Sequence, residues 1–386
     1  MICLYRDIFR QEAESRGKMR LVKLEHCQAG TQLSRSIYQD NGTVLLAQGT
    51  YLSDSLINRL KQLNIFAVYI DDEVSEGIEI VESIPNELRA EAAVAIKEGL
   101  DSLVELHKNK SNLQGIMKTG RVVRSMQKIF KDILQSLNEN GAALNLLATT
   151  KVHEDDVYNH SLNVSIYACQ LAIENGLPIK NIEEIGLGAM LHDLGKMYIP
   201  KEVLNKPGKL SENEFELVKS HCELGFETLK KIHEIPIPVA HCALQHHEKV
   251  DGTGYPRGLK EEEIHKYAKI ISVADVFDAV TSHRAYRPPM LPHIGMEVLY
   301  GGIGTAFEQR QVELFKNAIA IYPPGLTVTL NDGRTGIVSN YNFSAVGRPT
   351  VRIFKDEENQ DVQPYEIDLA SKEHLTVEIV EADALL

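Results

Sequence analysis

The sequence predicts a mainly α, multidomain protein: an all-α helical catalytic domain flanked by a small N-terminal α+β module and a small C-terminal β domain. Three observations carry that reading. Apolar residues recur at helical spacing through the middle of the chain, they alternate with a period of two near both ends, and turn signals such as Asp40-Asn41-Gly42 and Asn331-Asp332-Gly333 punctuate the alternating parts. At 386 residues the chain can bury more than one core.

Taken in order, residues 1–18 fit no element, and Met19 is a candidate natural start. Over 19–75, short strands turn at Asp40-Asn41-Gly42 before an amphipathic helix, Ser53 to Leu63, and a strand IFAVYI. This small α+β module holds no ligand cluster or phosphate loop, so it reads as an accessory or regulatory unit. Segment 76–140 is a polar linker leading into two long helices, 86–108 and 120–139. Their apolar residues, Val94, Leu100 and Leu103, then Val123, Ile129, Ile133 and Leu137, suit packing on the next domain in preference to pairing with another chain or signalling partner. The catalytic domain covers 141–322 and is nearly all helix. Beyond Pro323-Pro324, residues 323–386 switch to alternation in TVTLNDGRTGIVSNYN and TVRIF.

Composition excludes several functions. A net charge of −13 disfavours gripping a polymeric nucleic acid, which needs many cations facing phosphates. A small anionic substrate needs only a local positive cluster, and Lys196, Lys206, Lys209, Arg284 and Arg287 are placed to supply one. The five cysteines, Cys3, Cys27, Cys169, Cys222 and Cys242, form no CxxC pair, which points to a reducing compartment and a cytoplasmic protein. No apolar run reaches the roughly 20 residues of a membrane span, and MICLYRDIFRQEAESRGK is too charged for a signal peptide.

The chemistry lies in five histidines and two aspartates: His160, His192-Asp193, His221, His246-His247 and Asp275. Imidazole nitrogen with carboxylate oxygen suits Fe, Mn or Zn, and an aspartate can bridge two ions. Helical geometry tests whether they converge. His160 extends the apolar face of Val164, Tyr167 and Leu171, and His192 lies in line with Ile182, Ile185, Ala189 and Lys196. Ser211 three before Glu214 is a capping-box signature for a helix whose Phe215, Val218 and His221 share a side. One buried histidine bonded to a carbonyl is ordinary; several in successive helices of one bundle imply metal.

Three segments, MLHDLGK at 190–196, HHEKVDGTGYP at 246–256 and ADVFDAVTSHRAYR at 274–287, resemble the HD-GYP subgroup of HD-superfamily phosphohydrolases, which hydrolyse cyclic di-GMP. The likeness runs from about 152 to 322, and the flanking modules also resemble segments found beside such domains. It implies one metal held by His160, His192, Asp193 and Asp275 and a second by His221, His246 and His247, with Asp193 bridging. Fe or Mn is the expected metal. It further implies that Lys196 contacts the scissile phosphate, that Gly252, Gly254, Tyr255 and Pro256 form a substrate-facing loop, and that Arg284 and Arg287 meet phosphate or guanine. The run HEDDVYNHS departs from the family pattern and puts Asp156 one turn before His160, either as a ligand to a third ion or as a helix-start acid. The expected reaction is hydrolysis of cyclic di-GMP to linear pGpG, to GMP or to both. A nucleotide-binding sensor or scaffold and a hydrolase of another nucleotide are the alternatives.

Overall fold

The computed structural model describes residues 18–38, 43–63, 65, 67–78, 80, 84–108, 113–140, 156–282, 290–342 and 345–383. The turn expected at Asp40-Asn41-Gly42 and most of residues 1–18 lie outside them.

In the N-terminal module β1 (Met19–Lys23) pairs antiparallel with β4 (Ala67–Asp71), from Met19 opposite Asp71 to Lys23 opposite Ala67. A short hairpin of β2 (Ile37–Tyr38) and β3 (Val44–Leu46) and the helix α1 (Asp54–Gln62) lie between them. Helix α1 starts where Ser53 Oγ accepts from the Leu56 N–H, a side-chain cap that satisfies one of the orphan amides of the first turn. It buries Ile57 and Leu60 against Val22, Leu33, Ile37 and Val68.

Helices α2 (Asn86–Lys108) and α3 (Leu113–Asn140) pack against each other, α3 starting earlier than its apolar periodicity suggested. They also pack on the catalytic helices: Leu100, Val123, Met126, Phe130 and Ile133 share one core with Leu162, Tyr167, Ile185 and Phe277. Contact is close at Gly186, where an added Cβ would lie 1.9 Å from the Phe130 ring. Only a glycine lets the two helices approach this far.

The central helices are α4 (Asp156–Glu174), α5 (Ile179–Leu191), the short α6 (Lys201–Leu204), α7 (Glu212–Lys219), α8 (His221–Leu229), α9 (Ile237–Gln245), α10 (Lys266–Thr281), α11 (Pro292–Gly301) and α12 (Gln309–Ala318). Helix α4 packs on α5 and α10, α5 on α9, and α9 on α8, which closes a bundle around a polar centre. No described helix is long and apolar enough to cross a membrane.

The C-terminal domain is an antiparallel sheet in the order β8-β7-β6-β5-β9, with β5 (Thr327–Leu330), β6 (Thr335–Asn340), β7 (Thr350–Lys355), β8 (Asp361–Asp368) and β9 (Ile379–Ala382). The Asn331-Asp332-Gly333 turn joins β5 to β6 as expected, with Gly333 at a φ of +92° that favours glycine. Strands β8 and β9 were not legible from alternation: β8 is an exposed edge carrying Pro364, and β9 is four residues long. The N-terminal module and the C-terminal domain meet, because the Leu21 N–H donates to the Gly325 carbonyl at 2.9 Å and Lys23 pairs with Glu381 at 2.6 Å.

Candidate metal centre

Helix ends build the site. His160 comes from α4, His192 and Asp193 directly follow α5, His221 opens α8, His246 and His247 follow α9, and Asp275 lies within α10. Helix α5 closes at Leu191 and tightens into a 3-10 turn over Leu194–Tyr198, so Lys196 does not continue the face of Ile185, Ala189 and His192 as its spacing implied. Gly195, within that turn, lies close against the start of α8. A Cβ there would sit 1.8 Å from the His221 carbonyl oxygen.

A second difference concerns α7 and α8. The capping box at Ser211 and Glu214 is formed as expected, but the helix breaks at Ser220 and His221 begins a new one. Phe215 is 44% exposed while His221 is fully buried, and the two do not share a face: six residues apart, they differ by about 120° around a helix axis even without the break.

Four histidines have their Nδ1 atoms tied away from the centre. Nδ1 of His192 donates to the Ala189 carbonyl at 2.7 Å, that of His221 to Val218 at 2.6 Å, and that of His246 to Cys242 at 3.0 Å, while that of His160 faces Asp278 Oδ2 at 2.6 Å. Each bond fixes ring and tautomer and leaves the Nε2 lone pair facing inward, the arrangement a metal-ligating imidazole requires.

Those Nε2 atoms surround Asp193, whose two oxygens face different groups. Oδ2 lies 3.3 Å from His192 Nε2 and 3.7 Å from His160 Nε2, and Oδ1 lies 3.5 Å from His221 Nε2 and 3.7 Å from His246 Nε2. Asp275 Oδ1 is 3.1 Å from His160 Nε2, and its Oδ2 is 3.9 Å from His247 Nδ1. The ligand atoms thus fall into two compact sets, Asp193 with His221, His246 and His247, and His160 with His192 and Asp275. All seven sequence-derived candidates are brought together.

The donor set fits divalent cations. Among the described residues, His160 Nε2, His192 Nε2 and Asp193 Oδ1 are buried without a hydrogen-bond partner, a costly arrangement unless another species satisfies them. Protonation without metal follows the same logic. Burial opposes charge on His160, but Asp275 and Asp278 outweigh it and push its pKa up to about 10. Burial lowers His221 to about 3 and holds His246 and His247 below the ordinary imidazole range. Burial raises the Asp193 carboxyl, but the fields of His192 and Lys196 prevail and hold it well below the usual carboxylate range. A proton on His160 stands where positive charge is needed, and neutral imidazoles face the rest of the centre.

Lys196 Nζ donates to Asp193 Oδ2 at 2.5 Å from a partly exposed position at the mouth of the site. Lys206 instead donates to both Glu214 oxygens, at 2.8 and 2.7 Å, so its charge serves the start of α7. In the Gly252–Pro256 loop, Tyr255 lies against His247 with ring centroids 4.7 Å apart, and its N–H donates to the His247 carbonyl at 3.2 Å. Gly254 allows this fold-back, since a Cβ there would lie 2.3 Å from the Lys249 nitrogen. Arg284, Arg287 and the side chain of Asp156 lie outside the described residues.

Sequence reasoning missed two residues. Asp278 accepts from Asn163 Nδ2 at 3.0 Å as well as bonding His160, and the buried Glu248 accepts the Arg257 and Leu259 N–H groups at 2.8 and 2.9 Å. Both sit inside recognised segments, at i+3 from Asp275 and next to His247. Those offsets were the available signal.

A family described as HD domain matches residues 128–302, and one described as KOW domain associated with HD domain matches 327–384. A cyclic di-GMP phosphodiesterase of Pseudomonas aeruginosa is 31% identical over 80% of this chain and 78% of its own length. A cyclic di-GMP phosphodiesterase of Thermotoga maritima is 38% identical over 50% of this chain and 52% of its own, and a 3'3'-cGAMP-specific phosphodiesterase of Vibrio cholerae is 35% identical over 44% and 36%.

Proposed function

This chain belongs to the HD-GYP group of HD-domain proteins, and we propose that within it the chain is a metal-dependent phosphodiesterase acting on cyclic di-GMP. The observation that carries the reading is Asp193, a fully buried carboxylate with one oxygen turned to each of two histidine sets. His160, His192, Asp275 and Asp193 would hold one cation, and His221, His246, His247 and Asp193 the other, with Fe or Mn the metals such ligands take. Cations held there would supply Lewis-acid activation and charge neutralisation at a phosphodiester.

The protein's own groups account for the rest. Nδ1 bonds lock four of the imidazoles, so those rings need not reorganise during reaction. Lys196, within reach of Asp193 and partly exposed, stabilises charge on the phosphoryl oxygens or hands its proton to the departing 3'-oxygen. Tyr255 walls the mouth beside His247 and offers its ring to the substrate. Cleavage of one phosphodiester gives linear pGpG, and cleavage of both gives GMP.

The likeness to a 3'3'-cGAMP-specific phosphodiesterase favours one alternative, a mixed cyclic dinucleotide as the substrate. Chromatographic product analysis with cyclic di-GMP, 3'3'-cGAMP and cyclic di-AMP, using protein reconstituted with Fe or Mn, tests the reading. Cyclic di-GMP turnover should dominate and cease on chelation. Equal or greater turnover of another dinucleotide would reassign the substrate, and turnover insensitive to chelator would refute the metal mechanism.

A further inference from the structure

Helix α7 buries none of its residues. It is held by its capping box and by the Lys206 to Glu214 ion pair, yet it exposes Phe215 at 44% and Leu217 at 41%. The fold gains little from Phe215. On the same face, Lys219 Nζ lies 4.7 Å from the Phe215 ring centre and 5.8 Å from that of Tyr255. The Phe215 and Tyr255 rings are 6.1 Å apart, edge to face, and Tyr255 in turn lies against His247.

A Phe and a Lys four residues apart on a surface helix would by themselves be an ordinary helix pair. Tyr255 is what changes the meaning, because it comes from a separate loop and links that pair to a residue of the metal centre. The result is a chain of ring contacts from the candidate phosphodiester site through Tyr255 to Phe215, with the Lys219 ammonium over both rings. Aromatic faces take any nucleobase by stacking. An ammonium discriminates, since it only donates: guanine offers the N7 and O6 acceptors side by side, whereas adenine sets its N6 donor beside N7.

We propose that Phe215, Lys219 and Tyr255 form a purine subsite that selects guanine, an inference resting on the reading of this chain as a cyclic dinucleotide phosphodiesterase. Lys219 also donates to Glu216 at 2.7 Å, but that pair is exposed and exchanges readily for a base acceptor.

GMP and AMP are suitable probes, because they carry the same phosphate and differ only in the base. Titration calorimetry on the manganese-loaded full chain should give GMP about tenfold tighter binding than AMP, the scale of a specific lysine contact to guanine. Lys219→Met should bring that ratio to within about twofold of one. Phe215→Ala should weaken both ligands by about tenfold, the scale of one lost stacking platform, and keep the ratio. Both side chains lie on a helix that buries nothing, so the variants keep the fold. A wild-type ratio near one, or an unchanged ratio in Lys219→Met, would overturn the subsite. A clear GMP preference lost in Lys219→Met, in a chain that fails to hydrolyse cyclic di-GMP, would leave the subsite standing and refute the proposed activity instead.

Discussion

Asp278 is not itself a proposed metal ligand, yet its removal should be felt at the metal. Its Oδ2 meets His160 Nδ1 at 2.6 Å, and its Oδ1 accepts from Asn163 Nδ2 at 3.0 Å and Ser282 Oγ at 2.9 Å. Asp278→Ala leaves the His160 ring without the group that fixes its rotation and tautomer. Loss of such an outer partner typically costs 10- to 100-fold in metal affinity, which is about 1.4 to 2.7 kcal/mol. The abandoned donors of His160 and Asn163 add a stability loss of about 1 to 3 kcal/mol even in chelated protein. Asp278→Asn keeps one acceptor oxygen and should cost less, up to about tenfold in affinity. Competition between a chromophoric chelator and the protein for Mn²⁺ measures the affinities, and thermal melts in EDTA isolate the metal-free part. Affinity within about twofold of wild type in both variants would refute the reasoning, because His160 would then be oriented by packing on His192 or would not be a ligand.

Asp193→Ala should lose both ions and turnover together, since each histidine set faces one of its oxygens; two metals per chain in that variant by elemental analysis would contradict it. Lys196→Ala should keep its metals while losing about 100-fold or more in rate, the scale of a missing proton donor or charge stabiliser. Equal loss of metal would show that Lys196 maintains the centre. Gly195→Ala places a Cβ 1.8 Å from the His221 carbonyl and should destabilise the fold by about 3 kcal/mol or more, read as a lowered urea midpoint; a wild-type midpoint would mean α8 can shift freely. Asp156→Ala should lower metal content by one and slow conversion of the linear dinucleotide to GMP. Unchanged metal content with a loss of about 0.3 to 1 kcal/mol would mark Asp156 as a helix-start acid.

The proposed ligand set was legible in the sequence because each residue carried a local signature, an adjacent pair or a place on an apolar helical face. Helix starts with side-chain caps were legible too, as at Ser53 and Ser211, since capping is chemistry between neighbours in the chain. What was not legible depends on contacts between distant segments. Nothing around Ser220 announces a break between α7 and α8, with Phe215 exposed on one side of it and His221 buried on the other. Likewise, the α-helical register through His192 to Lys196 is locally acceptable. It gives way to a 3-10 turn at the place where Gly195 fits under the His221 carbonyl, a contact between distant residues of the chain. These two departures meet at one place. The tightened turn after Asp193 and the new helix at His221 press together at Gly195, and the same approach brings Asp193 Oδ1 to 3.5 Å from His221 Nε2. The contact that defeats the helical reading is therefore also the one that joins the two halves of the centre. Residues that complete the site without holding a proposed ion, such as Asp278 and Glu248, were missed for a related reason: each sits at a short offset from a recognised residue, but its partners are fixed only by the fold.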